Sequence, residues 1–236
     1  MNEIKLVIFD FDQTLVDSPK GFDAAFIEIK PEIEILLQNR GVKINIEDYS
    51  DALRQRMREL DVQKIYNRDL WWNRLLTEVL KIGTIQFTPE ECSHLTSIYW
   101  NTTIENTELY PDTLEILDFL KSKNYKLALL TDTDGIPGLK KVRLDKSPIL
   151  SYIDGIMIAG DDVPQVKPDP TPFLQLASQL GTTPSEVVMV GDKPFTDIKG
   201  GKAAGFHTIL ILRENWQVDP IPDFQIRALV ELKNLL

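Results

Sequence analysis

The chain has 236 residues, of which 43% are hydrophobic and 26% charged, and its 36 acidic and 26 basic residues leave a formal net charge of −10. These values are ordinary for a globular protein and exclude a mainly disordered or fibrous chain. The acidic balance disfavours a nucleic-acid partner, because affinity for a phosphate backbone comes from neutralising cations. A small anion can still bind through a local cation or a metal ion.

Cysteine and histidine, which build many metal and redox sites, are scarce. The single cysteine, Cys92, excludes an intramolecular disulfide, and His94 and His207 leave little material for a histidine-based metal site. No run approaches the ~18 apolar residues needed to cross a bilayer. The N-terminus also lacks the pattern of a signal peptide. We therefore expect a cytoplasmic protein with no membrane partner.

Short apolar runs predict a buried sheet. They are rich in Val, Ile and Leu and do not alternate with polar residues, which is typical of strands covered on both faces of a parallel sheet. Segments with helical spacing separate the later runs, for example at Phe173, Leu176 and Leu180. The pattern predicts the α/β class, with a doubly wound, Rossmann-like parallel sheet. The predicted strands are residues 6–9, 127–130, 156–159, 187–190 and 208–212.

The stretch from residue 18 to residue 108 shows helical spacing without a strand-like run. Phe22, Phe26 and Ile29 mark one apolar face, and Pro31 is expected to start a new helix. We predict a helical domain of roughly four or five helices inserted after the first strand. The α/β core would then comprise residues 1–17 and 109–236.

Two carboxylates follow the first predicted strand. Asp10 and Asp12 are two residues apart, so an extended chain points both to one side, where their repulsion requires a cation or a shared proton. Ligands of open α/β sheets bind beyond the carboxyl ends of the strands. The pair is therefore a candidate site, with a solvated turn as the alternative.

Three more predicted strands end in polar groups. Asp192 and Asp197 follow the fourth, where an aspartate beside the first pair would complete an oxygen-rich site that suits Mg²⁺ better than Ca²⁺; helix N-capping is the alternative. Thr131 follows the second strand and Lys167 the third; taken alone, Thr131 is equally compatible with a turn role, and Lys167 is more typical of a solvated surface lysine. The order of these groups along successive strands favours one common site.

In this order the residues resemble the four motifs of the haloacid dehalogenase superfamily. The resemblance covers residues 1–17 and 109–236, and the helical insert matches the position and type of the family's small helical cap. At position 12 the chain resembles the phosphatase branch of the family, because the dehalogenase branch lacks a carboxylate at that position. Gln13 stands where Gly is commoner, and Asp132 where Asn is commoner. The motifs are Asp10-Phe11-Asp12-Gln13-Thr14, Thr131, Lys167 and Gly191-Asp192 to Asp197.

The resemblance implies a Mg²⁺-dependent phosphatase for a small phosphorylated metabolite. Asp10 would form an aspartyl-phosphate, and Asp12 would protonate the leaving oxygen and activate water, which requires a raised pKa. Phosphate binding would fall to Thr131, Asp132 and Lys167. The implied metal ligands are Asp10, the Asp12 backbone carbonyl and Asp192, while Asp197 would support Lys167 or a metal-bound water.

Other interpretations remain open at this point. A phosphomutase-type transferase, in which a sugar hydroxyl replaces water, shares these motifs. A phospho-receiver or anion-sensing module also combines acids, a Thr and a Lys, but lacks a long helical insert after the first strand. The mixed charges from Arg54 to Arg74 predict a solvated helix face, or one or two arginines that reach a second anionic group of the substrate. The substrate and the oligomeric state, monomer or homodimer, stay open.

Overall fold

The computed structural model describes residues 3–236, which divide into two compact units. The core unit comprises the residues through Asp17, Leu109–Thr133 and Pro137–Leu236. The helical unit comprises Ser18–Glu108 and Asp134–Ile136. No helix of the described chain is both long enough and apolar enough to span a membrane.

A six-stranded parallel sheet forms the centre of the core unit. In spatial order its strands are β5 (Gly155–Ala159), β4 (Lys126–Asp132), β1 (Leu6–Phe9), β6 (Val187–Gly191), β7 (His207–Ile211) and β8 (Phe224–Ile226). In a separate two-stranded sheet, β2 (Val16–Asp17) pairs with β3 (Glu108–Leu109). The predicted α/β class is confirmed, and all five predicted runs coincide with strands of the large sheet, although residue 212 lies one position beyond the end of its strand. The sixth strand, β8, escaped prediction because its three residues make too short an apolar run.

Helices are distributed over both units. The helical unit contains α1 (Ser18–Gln38), α2 (Ser50–Val62), α3 (Asp69–Glu78) and α4 (Pro89–Asn106). The core unit contains α5 (Thr113–Ser122), α6 (Leu139–Asp145), α7 (Pro170–Gln179) and α8 (Lys199–Ala203). Short 3-10 turns occupy Ile46–Tyr49, Pro148–Tyr152, Pro184–Glu186 and Leu229–Asn234, and a π-helical turn occupies Pro194–Ile198.

Alternate residues of the central strands pack on opposite faces of the sheet. In β1, Val7 and Phe9 belong to one cluster of buried side chains, which includes residues of α5. Leu6 and Ile8 belong to another, which includes Phe173 of α7. A strand covered on both faces needs apolar side chains at every position. This packing explains why the predicted runs are continuously apolar.

The long helix α1 corrects one prediction from the sequence. The expectation that Pro31 starts a new helix is wrong, because Pro31 lies inside α1. Ile29, Ile33 and Leu37 are four residues apart and all buried, so one apolar face continues past the proline. Burial of this face against α4 outweighs the one backbone hydrogen bond that proline removes.

The strand order brings three strand ends together. β1 lies between β4 and β6, with Phe9 in register with Leu129 on one side and Val190 on the other. The chain therefore leaves these neighbouring strands on the same edge of the sheet, near Asp10, Asp132 and Asp192. In open α/β sheets this edge is where ligands bind.

Candidate active site

Lys167 joins two aspartates that follow different strands. Its Nζ lies 2.6 Å from Oδ1 of Asp10 and 2.7 Å from Oδ1 of Asp197. All three residues are buried. The core unit thus brings together predicted residues from the end of β1, the loop after β5 and the turn after β6.

The buried cluster fixes the charge of its lysine. Burial alone would lower the pKa of Lys167, but the charges of Asp10, Asp197 and Asp132 outweigh it and raise that pKa well above its usual value. Burial raises the pKa of Asp10, and the positive charge of Lys167 opposes that effect. Lys167 is therefore a permanent cation beside Asp10, where it can offset the charge of an approaching anion.

The carboxylate of Asp192 lacks a hydrogen-bond partner within the described chain. It is fully buried, and neither carboxylate oxygen has a hydrogen-bond partner among residues 3–236. Burial is the main cause that raises the pKa of Asp192 well above its usual value, and repulsion from Asp197 and Asp10 adds to it. A native protein keeps such a costly group when something else supplies its partner.

The surroundings of Asp192 fit a divalent cation. One carboxylate oxygen from each of Asp10, Asp192 and Asp197 lies within 4.8 Å of the others. A buried set of oxygen ligands with surplus negative charge is what a hard ion such as Mg²⁺ requires. The residues present therefore fit this metal, and the unpaired oxygens of Asp192 are the observation that supports it.

A turn after β6 holds Asp197 in place. Its Oδ2 accepts a hydrogen bond of 3.0 Å from the backbone N–H of Lys193, at the start of the π-helical turn. A Cβ atom at Gly191 would lie 2.4 Å from the Asp197 carboxyl carbon. Glycine is therefore required at the end of β6, because a side chain there would displace Asp197.

Motif two places a hydroxyl and a carboxylate at the end of β4. Thr131 is buried beside the strand ends. Asp132 accepts a hydrogen bond of 3.0 Å on Oδ1 from the backbone N–H of Lys167. Asp132 thus supports the loop that carries the lysine, a role that the oxygen of the commoner Asn could also fill.

Gln13 occupies a backbone conformation that favours glycine. Its φ of +61° lies in the left-handed region, where a side chain is disfavoured. This conformation accounts for glycine as the commoner residue at this point of the motif. The side chain of Gln13 is nevertheless buried in the fold.

The surroundings of Asp12 overturn the expectation that its pKa is raised. Burial alone would raise the pKa, but the charges of Arg143 and Lys140 outweigh it and hold the pKa of Asp12 well below its usual range. Lys140 Nζ lies 2.6 Å from Oδ2 of Asp12, and Arg143 Nη2 lies 2.5 Å from Oδ1. Asp12 is therefore an ion-paired anion in this structure.

Lys140 and Arg143 were missed in the sequence. They lie three residues apart on α6, and both are buried. Buried basic residues almost always have a charged partner. The spacing was visible in the sequence, but it is equally common on solvated helices, so it singled out neither residue.

The basic stretch from Arg54 to Arg74 only partly forms the expected solvated face. Arg74 is exposed, and Arg54 pairs with Asp23 inside the helical unit. For Arg68 the expectation is wrong, because its guanidinium is buried and lies 3.9 Å from the ring centre of Trp71. Stacking on an aromatic face compensates part of the cost of burying this cation.

The chain is similar to known proteins along nearly its whole length. The chain is 29% identical to phosphoglycolate phosphatase of Aquifex aeolicus over 99% of this chain and 97% of that protein. It is 27% identical to N-acylneuraminate-9-phosphatase of Mus musculus over 100% of this chain and 95% of that protein. The solved structure of the HAD-hydrolase YfnB from Bacillus subtilis shares the fold, with a TM-score of 0.74 at 20% identity over 100% of this chain and 99% of that one.

A family model matches most of the chain. The model described as haloacid dehalogenase-like hydrolase matches residues 4–205, a range that contains Asp10, Thr131, Lys167 and Asp192. The resemblance inferred from the sequence is thereby confirmed. This chain belongs to the haloacid dehalogenase-like hydrolases.

Proposed function

We propose that this protein is a Mg²⁺-dependent phosphatase that hydrolyses the phosphate monoester of a small metabolite through an aspartyl-phosphate on Asp10. The contact between Lys167 and Asp10, beside the unpaired carboxylate of Asp192, carries the proposal. Both curated relatives compared above are named as phosphatases, which supports hydrolysis of a phosphoric monoester.

Asp10 is the nucleophile of the first step. Its Oδ1 accepts the hydrogen bond from Lys167, so we assign the attack on phosphorus to Oδ2. The new bond joins this oxygen to phosphorus as the bond to the alcohol oxygen breaks. Lys167 and the Thr131 hydroxyl stabilise the charge on the phosphoryl oxygens. A Mg²⁺ ion held by Asp10, the Asp12 carbonyl and Asp192, with Asp197 in support, would supply further charge neutralisation.

Asp12 transfers a proton in each of the two steps. In the first step it donates a proton to the leaving alcohol oxygen, and in the second it removes a proton from the water that attacks the aspartyl-phosphate. Its ion pair with Lys140 and Arg143 favours the anion, which suits the second step. The proton donated in the first step is the one that Asp12 took from water in the preceding turnover; the carboxyl oxygen that carries it leaves the ion pair while the other oxygen stays bound.

The helical unit is assigned the role of a cap that selects the leaving group. It is inserted directly after β2, which follows the loop that carries Asp10 and Asp12. Caps of this kind exclude water from the reacting phosphate. Phosphoglycolate, sugar phosphates and nucleoside monophosphates are the substrate classes to compare.

The activity is tested with an activated aryl phosphate. We expect phosphate release from p-nitrophenyl phosphate in MgCl₂ and none in EDTA. Asp10→Asn should bind substrate and lose turnover by roughly 10⁴-fold or more, because it removes the nucleophile. Asp145→Asn, at an exposed residue of α6, is the matched control and should behave like the wild type.

Other outcomes would contradict the proposal. Turnover in EDTA would refute the dependence on Mg²⁺. An active Asp10→Asn enzyme would refute the assignment of Asp10 as the nucleophile. Transfer of the phosphoryl group to a sugar hydroxyl without release of phosphate would indicate a phosphomutase. Ranking metabolite phosphates by kcat/KM would identify the substrate.

A further inference from the structure

The carboxylate of Asp12 is held by two side chains of one helix. Lys140 Nζ lies 2.6 Å from Oδ2, while Arg143 Nη2 lies 2.5 Å from Oδ1 and Nη1 lies 3.2 Å from Oδ2. Both carboxylate oxygens are thus engaged, and the guanidinium binds in the bidentate manner that fixes orientation as well as distance. We call Lys140 and Arg143 the α6 clamp.

The clamp is buried and its helix is anchored. The side chains of Lys140 and Arg143 are each 3% exposed, and that of Asp12 is 17% exposed. The start of α6 is fixed by Asp161, which accepts hydrogen bonds from the backbone N–H of Gly138 (3.1 Å) and the hydroxyl of Thr133 (2.6 Å). Because Thr133 directly follows β4, the clamp is tied to the same edge of the sheet as the nucleophile.

Asp12 depends on the clamp for its orientation. Among the described residues, the hydrogen bonds that its carboxylate accepts all come from Lys140 and Arg143. Asp10 lies two positions away and repels Asp12. Without the clamp, the Asp12 side chain would be free to change rotamer. An acid–base group that leaves its productive geometry by about 1 Å can lose much of its effect.

We propose that Lys140 and Arg143 are positioning residues, which hold the Asp12 carboxylate in the orientation needed for proton transfer at the leaving oxygen. The inference rests on the proposed function, because it concerns a step of that reaction. The competing explanation is a purely structural ion pair that attaches α6 to the loop after β1. The two explanations differ in whether the clamp matters once Asp12 can no longer transfer a proton.

A double-mutant cycle separates them. Lys140→Met and Arg143→Met are each made in the wild type and in Asp12→Asn, and kcat/KM is measured with phenyl phosphate, a poor leaving group, and p-nitrophenyl phosphate, a good one. This parameter covers the steps up to release of the alcohol, so it reports the proton donated there. Lys141→Met, at the exposed neighbour on α6, is the control.

We expect each clamp variant to lose roughly 10- to 100-fold in kcat/KM on phenyl phosphate, part of the roughly 10²- to 10⁴-fold that acid–base catalysis supplies. The loss on p-nitrophenyl phosphate should be smaller, because that alcohol leaves without a proton. In Asp12→Asn, neither clamp variant should cause a further loss. Lys140→Arg and Arg143→Lys, which keep the charge, should recover part of the rate.

Three outcomes overturn the inference. Clamp losses that are unchanged in the Asp12→Asn background would show a structural role, and so would equal losses on the two substrates. If a Met variant fails to fold, the same cycle with Lys140→Arg and Arg143→Lys applies, and losses that persist in Asp12→Asn again refute positioning. If the wild type hydrolyses neither substrate, the proposed function and the inference both fail. If the wild type is active and the losses from the clamp variants add to the loss from Asp12→Asn, only the inference fails.

Discussion

Asp10 and Asp12 are two residues apart, yet their carboxylates lie in different electrostatic surroundings. Asp10 contacts Lys167, which also contacts Asp197, and burial raises the pKa of Asp10. Asp12 contacts two cations of α6, which hold its pKa low. The proposed roles require the reverse, an ionised nucleophile and an acid of raised pKa, so metal binding at Asp10 and substrate binding beside Asp12 must shift both pKa values.

Asp192 should destabilise the protein whenever the metal is absent. The pKa of Asp192 is raised in the folded state, so above about pH 4 the unfolded chain releases a proton that the folded chain retains. The free energy of unfolding therefore falls as the pH rises. Asn is neutral at every pH. In EDTA at pH 7.5 we expect Asp192→Asn to have a higher Tm than the wild type, with the difference vanishing near roughly pH 4.

Mg²⁺ should reverse that order. A ligand that binds only the folded state raises its stability, so MgCl₂ should raise the Tm of the wild type and leave Asp192→Asn unchanged. Asp145→Asn, at an exposed site, should follow the wild type in every buffer. A variant less stable than the wild type in EDTA at pH 7.5 would contradict an unpaired carboxylate at Asp192.

At the scale of the elements, α1 and α4 share the most extensive helix contact of the helical unit. Gly21 of α1 faces α4, where a Cβ atom would lie 2.4 Å from Thr107 Oγ1 and 2.6 Å from the backbone oxygen of Thr103. The same helix pair buries the apolar face that continues past Pro31. Close approach of two backbones therefore requires glycine at position 21.

Gly21→Ala tests this contact. Alanine is the better helix former by about 1 kcal/mol, but overpacking against a backbone oxygen, which cannot move aside as a side chain can, costs about 2–3 kcal/mol. We expect a net loss of about 1–2 kcal/mol, which corresponds to a decrease in Tm of roughly 2–8 °C. Glu28→Ala, on the exposed face of α1, should shift the Tm by much less. An unchanged or higher Tm for Gly21→Ala would show that α1 and α4 separate freely.

At the scale of the whole molecule, the core unit contains its own hydrophobic core. The two clusters of buried side chains on the faces of the sheet include no residue from 18 to 108. The ends of the insertion also lie close together, because β2 pairs with β3 and the backbone oxygen of Leu15 accepts hydrogen bonds from Tyr110 (3.1 Å) and Thr113 (2.7 Å). A short linker can therefore replace the insertion.

Replacing residues 18–108 with a short Gly-Ser linker should leave a core that unfolds cooperatively. We expect Mg²⁺-dependent hydrolysis of p-nitrophenyl phosphate to persist at a lower kcat/KM, because Asp10, Lys167 and Asp192 all belong to the core unit. Differences in kcat/KM among metabolite phosphates should shrink if the helical unit selects the leaving group. Thermal unfolding and a substrate panel measure both effects, and an unchanged ranking of substrates would argue against that selection.

The sequence by itself determined the sheet and the motif residues. Strands buried on both faces require uninterrupted apolar runs, and parallel strands carry their site at one edge, so Asp10, Thr131, Lys167 and Asp192 stood out by position. Only the tertiary structure decided that Lys140 and Arg143 bind Asp12, that Arg68 is buried and that α1 continues through Pro31. Lys140 and Arg143 lie 128 and 131 positions from Asp12. Partners that far apart are chosen by packing in space, which no local spacing encodes.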